Sequence, residues 1–120
     1  MELPSTPPET VRRLVLGWLG MAENDFRNIE LVMPADPCPL DTVAYHAAQA
    51  AEKCLKALLT SLGIPFPQVL ELMGLARLLE PTLRERLLLD EDDLALLSRL
   101  AASSRHPDFQ TALDRGAVKY

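Results

Sequence analysis

The sequence predicts an all-α fold, an up-and-down antiparallel four-helix bundle, on three observations. Hydrophobic residues make up 48% of the chain but aromatics only 5%, and the excess is Leu and Ala, which favour helices over strands. The ten prolines fall in clusters or single positions that divide the chain into segments. Within those segments the apolar residues recur at helical spacing rather than alternating.

Pro4, Pro7 and Pro8 precede the first segment, from about Glu9 to Met33, with Thr6 as the expected N-cap. Val11, Leu14, Val15, Trp18, Ala22, Phe26, Ile29 and Met33 form its apolar stripe. Pro34, Pro37 and Pro39 end it. A second segment runs from about Asp41 to Leu62, with Asp41 as N-cap and Gly63 as C-cap. The third, about Pro67 to Leu79, carries Gly74 inside it. Pro81 opens a fourth that runs through Leu83, Leu87, Leu94, Leu97 and Leu100 toward Ser104. Its acidic run, Asp90 to Asp93, either faces solvent in one long helix or caps a new one. A break near Leu89 is favoured, because Asp90 with Asp93 three residues on has the form of a helix start. Segments of roughly 20 to 25 residues joined by short loops imply antiparallel neighbours. Asp108 to Tyr120, with Phe109, Leu113, Ala117 and Val118, is read as the start of a further helix that is cut short.

At 120 residues the chain is read as one domain, 1–120, large enough to bury a core without metal or disulfide staples. Cys38 and Cys54 show no paired metal spacing, so both are expected to be free thiols in a reducing, cytoplasmic setting. The first residues have no apolar core of a signal peptide, and the longest apolar stretch falls far short of the roughly 20 residues of a membrane span, so no membrane association is expected. A net charge of -5 and an isoelectric point of about 4.9 argue against nucleic-acid affinity driven by bulk charge, leaving room for a local basic site.

On the second segment, Ala44, Ala47, Ala48, Ala51, Leu55, Leu58 and Leu62 form one stripe, where alanine lets a neighbouring helix approach closely. His46, Gln49, Lys53 and Lys56 line a different face, and Glu52 with Lys56 is a favourable i,i+4 pair. Those four residues are candidates for ligand binding. The plainer reading is a solvated helix face with local ion pairs.

The run Tyr45-His46-Ala47-Ala48-Gln49-Ala50-Ala51-Glu52-Lys53-Cys54-Leu55-Lys56-Ala57 resembles the signature helix of the HEPN domain family, an aromatic-His-x-x-Gln-Ala-x-Glu-Lys-x-Leu-Lys-Ala pattern. Trp18-Leu19, Ala22, Asp25-Phe26 and Ile29 are similar to that family's first helix, and Arg105-His106-Pro107-Asp108 is similar to its Arg-Tyr-Pro-Asp. The likeness covers roughly residues 10 to 110. Two departures are visible: Val69-Leu70-Glu71-Leu72 replaces the family's Thr-His-Asp-Leu, and His106 stands at its tyrosine. The chain also stops where the family adds a C-terminal helix. The resemblance implies a nucleotide- or RNA-binding helical module in which Arg105 joins His46, Gln49, Lys53 and Lys56 as the ligand-binding set, a homodimer, and a toxin-antitoxin-like pairing with a minimal nucleotidyltransferase protein. It also implies an alternative, a metal-independent ribonuclease toxin built on Arg, four to six residues, then His. Arg99 and His106 meet that spacing, although Leu100 follows the Arg where active members place a polar residue. In such an enzyme imidazole moves the 2′-hydroxyl proton and guanidinium holds the phosphate.

No metal or cofactor is expected. His46 and His106 are the only histidines, and Gly17, Gly20, Gly63, Gly74 and Gly116 are too dispersed for a phosphate loop.

Overall fold

A computed structural model describes residues 7–68 and 71–103, and every described element is helical. The order is α1 (Pro8–Val32), α2 (Leu40–Ser61), α3 (Leu72–Arg77), α4 (Pro81–Arg86) and α5 (Glu91–Ser103). The all-α class is therefore as expected, but the four segments become five helices, of which only α1 and α2 exceed 20 residues.

Pro7 is the N-cap of α1 and Pro8 its first helical residue, where a missing N–H costs nothing. The expected cap Thr6 lies outside the described residues. Seven residues, 33–39, turn the chain, and α2 starts after Pro39 as N-cap. Asp41 thus sits inside the first turn rather than at the cap, complementing the positive end of the helix dipole. At the other end Gly63 adopts φ 71°, and Ile64 N–H reaches Leu59 C=O at 2.9 Å while Gly63 N–H reaches Thr60 C=O at 3.1 Å. This is a Schellman closure with glycine at its left-handed position.

The third segment is shorter than expected. Pro65 and Pro67 lie in non-helical chain, and helix begins only at Leu72, so Gly74 falls in a short α3 without breaking it. The favoured break near Leu89 is present, between α4 and α5. Asp90 caps α5 by accepting Asp92 N–H on Oδ1 at 2.7 Å, and Glu91, Asp92 and Asp93 fill its first turn. Glu91 also accepts from Arg77 Nε at 3.2 Å and faces Arg84 at 3.5 Å, tying α3 and α4 to α5. Hydrogen bonding from Arg77, then its charge, holds the Glu91 carboxyl below the usual range.

α4 ends in the same closure as α2, with Leu89 N–H on Arg84 C=O at 3.0 Å, but the left-handed position is Leu88 at φ 57°. An L-residue there costs about 1–2 kcal/mol, and Leu88 is 88% exposed, so its side chain returns little by burial. Leu88→Gly is therefore expected to stabilise the isolated chain by about 0.5–1 kcal/mol, raising the melting temperature by about 2–5 °C. A lowered melting temperature would show that Leu88 makes a contact worth more than its strain.

α2 is the central element. One face carries Ala48, Leu55 and Leu59, which pack with Leu72, Leu75 and Ala76 of α3, with Leu79, and with Leu94 of α5. The expected alanine stripe meets this face at Ala48, Ala51, Leu55 and Leu58; Ala44 is buried outside that cluster, and Leu62 is exposed. A second face buries Ala50 and Ala57, and α1 lies along α2. The pairings Asp25 with His46, Asp25 with Lys53, and Trp18 with Lys56 make α1 and α2 antiparallel.

Candidate functional site

The polar stripe of α2 does not face open solvent, which corrects the plainer reading above. It forms the seam with α1, and its centre is Asp25, a residue only 5% exposed. Asp25 lies in register with Trp18, Ala22 and Ile29 on the α1 face that meets α2, so an otherwise apolar helix face delivers one carboxylate to the polar stripe. Oδ1 accepts from Nδ1 of His46 at 2.8 Å and Oδ2 accepts from Nζ of Lys53 at 2.9 Å. Lys53 donates again to Oε1 of Gln49 at 3.0 Å, one helical turn back. Both carboxylate oxygens are thus satisfied, as a buried charge requires.

Burial raises the Asp25 pKa, but the hydrogen bonds and charges of Lys53 and His46 outweigh it and hold the carboxyl below the ordinary range. The ionised carboxylate has no proton to give, so the hydrogen of the Asp25–His46 bond belongs to Nδ1. In neutral imidazole Nε2 is then an acceptor. The same logic fixes Gln49: its oxygen takes the lysine, which turns its amide nitrogen, a donor, the other way. Among the described residues no protein group takes either nitrogen, and neither is a buried orphan. Tyr45 steadies the imidazole edge-on, ring centroids 5.2 Å apart.

Lys56 closes the seam one turn further along. Its ammonium lies 5.2 Å from the Trp18 ring centre and 5.9 Å from that of Phe66, and 3.6 Å from Glu52. The two rings stand 6.4 Å apart at 58°. This buried lysine links α1, α2 and the loop after α2 through cation–π contacts worth about 0.5–2 kcal/mol each.

The structure therefore gathers His46, Gln49 and Lys53 around Asp25 and sets Lys56 in a separate aromatic notch. Arg99 is exposed on α5. His106 and Arg105 lie outside the described residues, as do Ser104 and the segment from Asp108 to Tyr120. Asp25 is the residue that site reasoning from sequence missed; the available signal was a lone carboxylate inside the apolar stripe of the first segment, facing a helix rich in donors. Among the described residues no group of His, Cys, Asp and Glu is placed to hold a metal ion, and no helix is long and apolar enough to cross a membrane. Both cysteines are free.

No curated protein and no solved structure matches the chain. The HEPN domain family does, over residues 15–119, a span that takes in α1 from Val15 onward, the Asp25 seam and α2 through α5. With that match across most of its length, the chain belongs to the HEPN domain family.

Proposed function

We propose that this chain is the nucleotide- or RNA-binding HEPN member of a cytoplasmic, toxin-antitoxin-like pair with a minimal nucleotidyltransferase, working as a homodimer. The observation that carries this reading is the family match over residues 15–119. The seam supports a particular mode of binding. Lys53 and Lys56 already have the carboxylates of Asp25 and Glu52 as partners, so the cluster has little net charge to spend on phosphate. What it offers instead is an acceptor on His46 and a donor on Gln49, three residues apart on one helix. Adenine presents the matching pair along its N7 edge, an acceptor beside an amino donor, whereas guanine presents two acceptors there. In this reading His46 and Gln49 touch the base, and Asp25 and Lys53 are positioning residues. Arg105 supplies the phosphate contact.

Titration of the full chain with ATP and GTP tests it. ATP is expected to bind more tightly than GTP, and His46→Ala to weaken ATP by about tenfold or more, equivalent to about 1.4 kcal/mol. Binding that is absent, or indifferent to His46 and Gln49, would remove the proposed site. Arg99 is exposed, as the ribonuclease alternative requires of a phosphate-holding group. Metal-independent RNA cleavage by the wild type, lost in both Arg99→Ala and His106→Ala, would replace the binding reading with that one.

A further inference from the structure

His46 is a titratable group at the point where the site on α2 meets a base. Its Nδ1 is already committed. The hydrogen there goes to Asp25 Oδ1 at 2.8 Å, and imidazolium carries a hydrogen on Nδ1 just as this tautomer does. Protonation therefore keeps the Asp25 bond and the edge-on Tyr45 contact, and changes one atom, Nε2, from acceptor to donor. Gln49 does not change with it. Its oxygen holds Lys53 at 3.0 Å, so its amide nitrogen stays a donor in both states.

The groups around the ring let it titrate without rearrangement. From α1 it faces Asp25, and from α2 it lies beside Lys53, which shares that carboxylate, with the amide of Gln49 and the ring of Tyr45. The neighbouring α1 charges Arg27 and Glu30 are exposed on other sides of that helix. Burial raises the Asp25 pKa, but Lys53 and His46 outweigh it, so this carboxylate is ionised throughout the range in which imidazole ordinarily titrates.

The two states of the His46 and Gln49 pair complement two different bases. An acceptor beside a donor matches the amino group and N7 of adenine, whereas two donors match O6 and N7 of guanine. We infer that protonation of His46 switches this site from adenine to guanine, so that pH selects which nucleotide is held. The inference rests on the base-edge reading given above and adds its regulation. GTP binds the protonated ring, so its affinity rises as pH falls through the His46 titration. ATP binds the neutral ring, so its affinity falls over the same range. The triphosphate is common to both ligands, and its own titration cancels in the ratio of the two affinities.

Competition between ATP and GTP on the full chain, from about pH 8 to about pH 5.5, tests it, with circular dichroism to confirm the helices at each pH. The ATP-to-GTP affinity ratio is expected to exceed one at the alkaline end, to fall by about tenfold or more, and to drop below one at the acid end. His46→Gln has no titrating ring at this position and is expected to hold its ratio constant across the range. A wild-type preference for ATP that does not change with pH, or that changes equally in His46→Gln, would overturn the switch while leaving the base-edge site standing. Absence of binding by either nucleotide at every pH would overturn both.

Discussion

Asp25→Ala is expected to cost about 2–3 kcal/mol of unfolding free energy at neutral pH, read by urea denaturation. Removing one partner of a fully buried ion pair costs about 3–5 kcal/mol, because the other charge is left without compensation. Here the Lys53 and His46 side chains retain 13% and 20% of their exposure, so water recovers part of that loss. The isosteric Asp25→Asn keeps an acceptor for Lys53 and is expected to cost less, about 1–2 kcal/mol. The pH dependence has a definite sign. The folded-state pKa of Asp25 lies below its ordinary value, so the unfolded chain binds this proton more readily than the folded one. The stabilisation is fully present above the ordinary carboxylate pKa of about 4 and is lost as pH falls through the folded value. The stability gap between wild type and Asp25→Asn should accordingly narrow on acidification below about pH 4. A gap that is constant, or that widens in acid, would mean that Asp25 is not held as an ionised partner.

Leu59→Ala is expected to have the larger effect, about 3–4 kcal/mol. Leu59 is fully buried, at 0% exposure, where α2 meets α3 and α5, and it shares that position with Leu75 and Leu79. The loss combines the transfer free energy of the missing atoms with the cavity left among side chains anchored on separate helices. Leu31→Ala is the matched control: Leu31 is 73% exposed on α1, and the same truncation is expected to change stability by no more than about 0.5 kcal/mol. Comparable losses at the two positions would contradict the placement of the core on α2 rather than around α1.

Local signals were readable because their causes are local. Proline bounds α1, α2 and α4 since it cannot continue a helix, and Asp90 announces α5 since its carboxylate reaches an N–H two residues on. The length of α3 was not readable. The apolar residues after Pro67 suit a helix, but where it starts depends on how Leu72 and Leu75 reach the Leu59 core, a contact between residues far apart in sequence.

The candidate site divides the same way. His46, Gln49, Lys53 and Lys56 were identifiable as one helical stripe from spacing alone. What that stripe faces depends on the register of α1 against α2, which links residues 21 and 28 positions apart in the two Asp25 bonds. The amphipathic pattern of α2 is consistent with either solvent or a neighbour on that side. Only the antiparallel placement of α1 joins His46, Gln49 and Lys53 into one network on the Asp25 carboxylate and sets Lys56 against Trp18. Lys56 illustrates the limit further: its pairing with Glu52 followed from spacing, but its place between Trp18 and Phe66 needs three elements to converge.

The Asp25–His46 bond both joins α1 to α2 and decides which atom His46 presents. Two-bond ¹H–¹⁵N correlation spectra of the imidazole nitrogens report that directly, and His106→Gln leaves a single histidine to observe. With His46 in its neutral form, the proton is expected on Nδ1 with Nε2 unprotonated, and this preference should be lost in Asp25→Ala. A neutral His46 protonated on Nε2, or a tautomer unaffected by removing Asp25, would contradict both the seam and the acceptor that the proposed site depends on.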